Sequence, residues 1–342
     1  MEENKNILIV GAGLSGATIA RELAENGYKI LIIDKKDHVA GHCFDYKSDN
    51  GIRIHKYGPH IFHTSNNLVI NWLSKFTDWV DYEHKVVAKL FDGRLVPFPP
   101  NKTTLKYVAQ DDLLETFYRP YSEKMWGKTL EELNPKIIHR VPIRPDNEDR
   151  YFPKDKFQKL PAEGYTKLVK NLLNHPSIEL KLNTKFEKSM QKNILHTFNS
   201  MPIDEYFNFC FGELPYRSIK FHHKILNKHK KTNNAVVNFT DAKKFTRETE
   251  WKNFPSHGDN PLKTQLTLEE PCDYKENNHE RYYPINDAAG INRKKYREYS
   301  NIVPKNLTFI GRCGQYIYID MDQAVSSSIS LSRKFIEKGL VD

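Results

Sequence analysis

Asn6–Asp34 reads NILIVGAGLSGATIARELAENGYKILIID, and this stretch decides the fold. Ile7–Val10 is apolar, β-branched and of strand length. Gly11, Gly13 and Gly16 follow at G-x-G-x-x-G spacing. Ala17, Ala20 and Leu23 then recur at helical spacing, and Gly27 suits a C-cap. Lys29–Ile33 is a second apolar strand. It ends in Asp34, roughly 20 residues after the glycines, which is the order expected of a dinucleotide-binding strand–turn–helix–strand. Gly11 permits the tight turn, Gly13 lets a pyrophosphate approach the backbone, and Gly16 lets helix pack on strand. The helix start, with Leu14 and Ser15, offers free N–H groups to phosphate. Asp34 can accept hydrogen bonds from a ribose diol. The fingerprint alone does not separate FAD from NAD.

The remaining composition narrows the class. The 342 residues suffice for two or three packed subdomains, and 39% hydrophobic with 12% aromatic residues describes a globular chain. No basic leader followed by an apolar segment opens the sequence, and no run of about 18 apolar residues occurs, so a membrane span is not expected. Cys43, Cys210, Cys272 and Cys313 are scattered without a C-x-x-C pair, which fits a reducing cytoplasm and neither a disulfide framework nor a zinc site. Net charge is +9, and HHKILNKHKK (His222–Lys231) reads as a solvated basic surface. No nucleic-acid module is recognisable. An anionic small substrate also suits a basic protein.

Beyond the second strand, KKDHVAGHCFD (Lys35–Asp45) carries a glycine, Gly41, suited to a loop folding over a cofactor. IRIHKYGPHIFHT (Ile52–Thr64) suggests a strand broken at Gly58-Pro59. His60 and His63 lack a third ligand, so no metal is expected. Asn67–Phe76 reads as an amphipathic helix, and His84–Pro100 as two strands around Asp92-Gly93. Leu113–Leu133 reads as a helix with an aromatic stripe of Phe117, Tyr121 and Trp126; core packing and ligand binding are equally open from periodicity alone. Ile137–Arg144 is basic, and a polar loop follows it that can move. Gly164–Leu173 reads as a helix, and Ile178–Leu182 and Ala235–Phe239 as strands. Leu307–Gly311 is a strand reaching glycine, and Asp320 suits an N-cap for a helix to about Lys338. This ending suggests that the chain returns to its first sheet.

HKYGPHIFHT (His55–Thr64), together with the amino-terminal fingerprint, resembles the UDP-galactopyranose mutase family. YSEKMWGKTLEEL (Tyr121–Leu133), RVPIR (Arg140–Arg144), LPAEGYTKL (Leu160–Leu168), PIDEYF (Pro202–Phe207), FGELPYRSIKF (Phe211–Phe221), VVNFTDAKKFTR (Val236–Arg247), RYYPIND (Arg281–Asp287) and GRCGQYIYIDMDQAV (Gly311–Val325) extend the resemblance in order along nearly the whole chain.

The resemblance implies an α/β protein: a Rossmann-like FAD-binding domain with an inserted small helical domain and an antiparallel β-sheet domain. The expected FAD-binding segments are 1–65, 195–220 and 305–342. The helical domain would be 66–135, and the sheet domain 80–100, 136–194 and 221–304, with a mobile loop near 144–155. It implies a mutase that interconverts the pyranose and furanose forms of a nucleotide sugar, supplying furanose for surface polysaccharide. FAD must be reduced, by NAD(P)H or another reductant, and its N5 attacks the anomeric carbon while the diphosphate leaves and later returns. UDP-galactopyranose is the expected substrate, with UDP-N-acetylgalactosamine, dTDP-fucose or another NDP-hexose as alternatives, and a homodimer is allowed.

By residue, the resemblance makes Arg144 and Arg247 the diphosphate clamps, for which permanently charged bidentate forks are suited. Tyr283 and Tyr318 would bond the diphosphate, Phe117 and Tyr121 hold the uracil, and Trp126 lie on the sugar–nucleotide path. Asn238 and Phe157 would border the substrate, and His60, His63 and His84 lie near flavin or sugar. Gly11, Gly13, Leu14, Ser15, Gly16, Asp34, Lys35, Gly41, His42, His60, Ile61, Arg312, Tyr318, Asp320 and Met321 would hold the cofactor. Phe157 stands where a tyrosine is usual and His42 where asparagine is common, and the segment from Pro100 to Leu113 is far shorter than in bacterial members. The rival readings are an amine-oxidase-like FAD oxidoreductase, and a flavin-binding remnant or nucleic-acid binder.

Overall fold

A computed structural model describes residues 6–133 and 142–338. The first five residues of the basic Ile137–Arg144 stretch, and with them Arg140 and Val141 of RVPIR, lie outside the described residues.

Seventeen strands are described: β1 (Asn6–Val10), β2 (Lys29–Ile33), β3 (Asp45–Lys47), β4 (Arg53–His55), β5 (Phe62–Thr64), β6 (Trp79–Asp81), β7 (Val86–Lys89), β8 (Leu95–Phe98), β9 (Phe157–Pro161), β10 (Ile178–Lys181), β11 (His196–Asn199), β12 (Tyr216–Leu226), β13 (Val236–Phe239), β14 (Arg247–Glu250), β15 (Thr264–Asp273), β16 (Tyr283–Pro284) and β17 (Leu307–Phe309). The α-helices are α1 (Leu14–Glu25), α2 (Asn67–Leu73), α3 (Arg119–Trp126), α4 (Tyr165–Leu173), α5 (Ile203–Tyr206), α6 (Ile291–Ser300), α7 (Gly311–Gly314) and α8 (Met321–Lys338).

A parallel sheet of order β10-β2-β1-β11-β17 forms the Rossmann-like layer. Both faces of such a sheet are covered, and β1 accordingly buries Ile7, Leu8 and Ile9 completely. α1 packs Ala17, Ala20 and Leu23 inward, against α4 and α8. β17 joins this sheet as the C-terminal glycine-ended strand was expected to. β10 joins it too, so the layer takes chain from before 195, the boundary expected from sequence.

A second sheet, β16-β12-β15-β14-β13-β7-β8, is antiparallel except where β13 lies parallel to β7. Its spine is the ten-pair ladder between β12 and β15, Arg217↔Asp273 to Leu226↔Thr264. β12 therefore crosses the expected seam at 220. The Asp92-Gly93 hairpin forms as read, with Gly93 N–H donating to Leu90 O at 2.9 Å and Gly93 at φ +91°.

The expected continuous helix Leu113–Leu133 is broken. A π-helical turn covers Leu114–Tyr118, α3 carries Pro120 in its first turn, and Gly127 at φ +63° ends it. Proline lacks the N–H an uninterrupted ladder needs, and a left-handed glycine stops the helix. The break parts two aromatics expected on one face. Phe117 is 2% exposed and packs on Phe98, with ring centroids 5.9 Å apart, while Tyr121 turns to the second sheet.

Candidate active site

The glycine turn after β1 has the shape a dinucleotide needs. Gly11 sits at φ +104°, where an added Cβ would lie 1.9 Å from Ser200 Oγ. A Cβ on Gly16 would fall 2.0 Å from Gly11 O, so glycine is what lets α1 pack on the turn. Gly41 lies against Gly13, its added Cβ only 3.2 Å from Gly13 Cα. No side chain caps the N-terminus of α1, which leaves its N–H groups for an anion. Asp34 is buried at the end of β2, and its carboxylate accepts from Ala12 N (2.8 Å) and Lys36 N (2.9 Å). It holds the glycine turn and keeps lone pairs for a further donor. This cradle, with unsatisfied N–H groups facing an acid-ended strand, fits FAD. Leu14 and Ser15 open α1, Lys35 is exposed beside Asp34, and Ile61 is buried.

A cluster of aromatic rings and guanidinium groups adjoins the cradle. Arg312, in α7, donates to Ile319 O at 2.9 Å, with its guanidinium 5.0 Å from the Tyr283 ring and 4.8 Å from that of Tyr318. Tyr283 and Tyr318 stack at 5.4 Å, and Trp126 lies 6.1 Å from Tyr283. Burial pushes the Tyr283 phenol well up, so it stays a hydrogen-bond donor. The amide of Asp320 donates to Gln323 Oε1, and its carbonyl accepts from Ala324 N, starting α8 where an N-cap was expected. Cys43 Sγ lies 3.5 Å from Met321 Sδ.

His42 donates from Nε2 to Glu280 Oε1 at 2.8 Å, and Lys36 Nζ reaches the same oxygen at 2.7 Å. Burial opposes ionisation of Glu280, but these two partners outweigh it and hold the carboxyl well below its usual range. His60 accepts nothing on Nδ1: that nitrogen lies 2.8 Å from Gly58 O and must carry its proton, leaving Nε2 as an acceptor. Burial lowers His60 to about 3, so it is neutral. His84 is likewise lowered to about 3 by burial, with Arg247 adding to the effect. His63 Nδ1 lies 2.7 Å from Asp155 Oδ2, and its ring stacks on Phe152 at 3.5 Å. Among the described residues no group of three or more His, Cys, Asp or Glu could hold a metal.

Arg247, first residue of β14, is the central cation. Its Nη2 donates to Tyr121 Oη at 2.5 Å, and its Nε lies 3.5 Å from Glu269 Oε2. Glu269 is 4% exposed. Burial raises the Glu269 carboxyl and Arg247 only partly offsets that, whereas Glu269 holds Arg247 firmly charged. Arg247 Nε, Glu269 Oε1 and Asn238 Oδ1 are buried without a hydrogen-bond partner among the described residues. Unmatched buried polar atoms are costly, and here one lies in the guanidinium itself and two on Asn238 and Glu269, the residues opposite Arg247 on the neighbouring strands.

Arg144 stands elsewhere. It is 7% exposed, and its guanidinium donates to the carbonyls of Glu148 (3.2 Å), Arg150 and Tyr151 (3.1 Å). The loop it holds is docked: Arg144 N donates to Pro100 O, Lys102 N to Asp146 O, and Tyr151 N to His84 O. Phe157 lies half-buried on β9 opposite Thr64. Glu269, Glu280 and Lys124 were not singled out from sequence. An acid inside the apolar strand run LTLEE was the one available signal for Glu269.

Comparison with known proteins identifies the family and the fold. Residues 116–318 match the family described as UDP-galactopyranose mutase, and residues 9–76 a NAD(P)-binding Rossmann-like domain. A UDP-galactopyranose mutase of Mycoplasma genitalium is 35% identical over 97% of this chain and 95% of its own. A dTDP-fucopyranose mutase of Escherichia coli is 32% identical over 97% of this chain and 98% of its own. The crystal structure of a reduced UDP-galactopyranose mutase superposes with TM-score 0.76 over 98% of this chain and 94% of that one, at 15% identity, and so shares the fold.

Proposed function

The chain belongs to the UDP-galactopyranose mutase family, an FAD-dependent isomerase of nucleotide sugars, and on that premise we propose that it converts UDP-galactopyranose to UDP-galactofuranose. The observation that carries the reading is Arg247, half-buried and held charged by Glu269, with unmatched buried polar atoms beside it.

FAD, in its reduced form, supplies the nucleophile N5 for the anomeric carbon. The protein's own task is to hold a leaving diphosphate close by and let it return. Arg247 takes one side of that dianion. Arg144 takes the other once its loop gives up the carbonyls it now holds, and loop closure excludes water. Tyr283 and Tyr318 donate hydroxyl hydrogen bonds to the diphosphate. Tyr121 serves the base, Trp126 the sugar, and Asn238, His84 and Phe157 the pocket wall, while Phe117, expected beside Tyr121, is spent in the core against Phe98. His60 and His63 lie by the flavin and the sugar, and neutral His60 offers an acceptor from Nε2. The cofactor lies along Gly11, Gly13, Gly16, Asp34, Gly41, His42, Arg312, Asp320 and Met321.

NAD(P)H or a like donor reduces the flavin, and the protein acts in the cytoplasm. Four free cysteines suit that compartment, and among the described residues no helix is long and apolar enough to cross a membrane. A homodimer belongs to the same proposal, and light scattering measures it.

A second reading keeps the chemistry and changes the sugar. The dTDP-fucopyranose mutase relative, at 32% identity, favours it specifically. One experiment separates these: the purified holoprotein is reduced with dithionite and offered UDP-galactose, UDP-N-acetylgalactosamine and dTDP-fucose, with furanose detected chromatographically. Peroxide production with oxidised flavin and an amine, and no furanose from any sugar, would replace the mutase reading with an oxidase.

A further inference from the structure

Lys124, on α3, extends its side chain into the second sheet's β13–β14 connection. Its ammonium donates to three backbone carbonyls there: Phe239 O (3.1 Å), Asp241 O (2.7 Å) and Phe245 O (3.0 Å). Its side chain is 11% exposed, and the Asp241 carboxylate is 3.9 Å away. Three acceptors match the three N–H donors of an ammonium, so the carbonyls take all of its hydrogen bonds, with the Asp241 carboxylate close by. Burial pulls its pKa down, and Asp241 opposes the shift.

The connection it fills joins Asn238 on β13 to Arg247 on β14, which face each other across the ladder. Without a cation at the centre, three carbonyl oxygens would converge on nothing and repel. The connection would then relax, and the first residue beyond it is Arg247. A second cation works in the opposite direction. Arg217, on β12, donates to Met125 O (2.9 Å) and Lys124 O (3.1 Å) at the C-terminus of α3. Gly127 leaves room for it, since a Cβ there would lie 2.8 Å from Arg217 Nη1. Helix and sheet are therefore pinned by two cations pointing past one another, each bound to backbone. α3 carries Tyr121 and Trp126, and the sheet carries Arg247, so this junction sets the span between base, sugar and diphosphate contacts.

We propose that Lys124 is a positioning residue for nucleotide-sugar binding: by filling the β13–β14 connection it fixes Arg247 at hydrogen-bonding distance from Tyr121. The inference rests on the mutase reading above and assigns to that site the residue that sets its geometry. It asks nothing of Lys124 at the reacting atoms.

The test uses the FAD-loaded protein and UDP as probe, followed by quenching of tryptophan fluorescence. Lys124→Met keeps its flavin spectrum but binds UDP between about 10- and 100-fold more weakly, the loss typical of a misplaced contact. KM rises while kcat changes less. A structural role alone would not produce the second signature, which is loss of coupling. Tyr121→Phe weakens UDP binding in the wild type but adds nothing in the Lys124→Met background. Lys124→Gln, which keeps two N–H donors, falls between and decides the matter if the Met variant does not fold. UDP affinity equal to wild type in Lys124→Gln or Lys124→Met, or an undiminished Tyr121→Phe effect in either, overturns the proposal. A wild-type protein that neither binds UDP nor isomerises any nucleotide sugar overturns the mutase reading instead.

Discussion

Arg247 Nη2 donates to the hydroxyl of Tyr121 across 126 positions of sequence, at 2.5 Å. The pair joins the helix bearing Tyr121 and Trp126 to the strand bearing the half-buried cation. The same guanidinium faces Glu269, so its charge is half-matched and its direction fixed. In the proposed reading, this is the place the leaving diphosphate takes.

Arg247→Ala should retain flavin and lose nearly all turnover. Removing a charged contact to a buried diphosphate costs a few kcal/mol, and the variant leaves Glu269 without its cation. The measurement is kcat/KM with dithionite-reduced enzyme beside the flavin absorbance. Near-full activity would take Arg247 out of the clamp.

Tyr121→Phe should act more gently. It removes one hydrogen bond to a charged donor, worth about 1.5–3 kcal/mol, and leaves the ring. Most of the change belongs in KM, because the bond orients Arg247 before substrate arrives. A fall in kcat alone, with KM constant, would contradict that account.

Arg144→Ala should affect loop and catalysis together. Its guanidinium joins the carbonyls of Glu148, Arg150 and Tyr151, so the alanine variant should show faster proteolysis within 145–151 as well as weaker substrate binding. Arg144→Lys should restore little of either, since a point charge cannot reproduce a planar fork. Unchanged cleavage and unchanged turnover would show that this arginine serves neither purpose.

Acid should unfold the protein through buried histidines. His257 Nδ1 lies 2.9 Å from Pro255 O and so carries the proton, and His60 N–H donates to His55 Nδ1. His55 Nε2–H must then donate to His257 Nε2, 3.1 Å away, and both rings are neutral. Burial lowers His257 to about 4, and it lowers His55 further, with His257 contributing. A depressed histidine leaves the unfolded chain binding more protons below pH ~6.5, so stability is intact above that value and falls as pH drops toward 4. Melting temperature should therefore decline steeply between pH 6.5 and 4.5. His257→Gln should start less stable at neutral pH yet lose less over that window. A decline as steep as wild type would assign the acid sensitivity to other groups.

The sequence by itself determined the glycine turn, its flanking strands and helix, the Asp92-Gly93 hairpin and the glycine-ended C-terminal strand. Each depends on residues within a few positions: a glycine that alone accepts φ +104° at Gly11, an apolar run, a turn dipeptide. Motif order also carried the cofactor and the family. Only the tertiary structure decided which partner each polar group meets. His55 and His257 are 202 positions apart, and Lys124 lies 115 from Phe239, so no spacing rule could join them. It also split the aromatic stripe, because Pro120 and a π turn let burial claim Phe117 while Tyr121 stayed with Arg247. Local sterics write themselves into neighbouring residues. Desolvation does not, since which groups share a dry interior is known only when distant strands have closed over them.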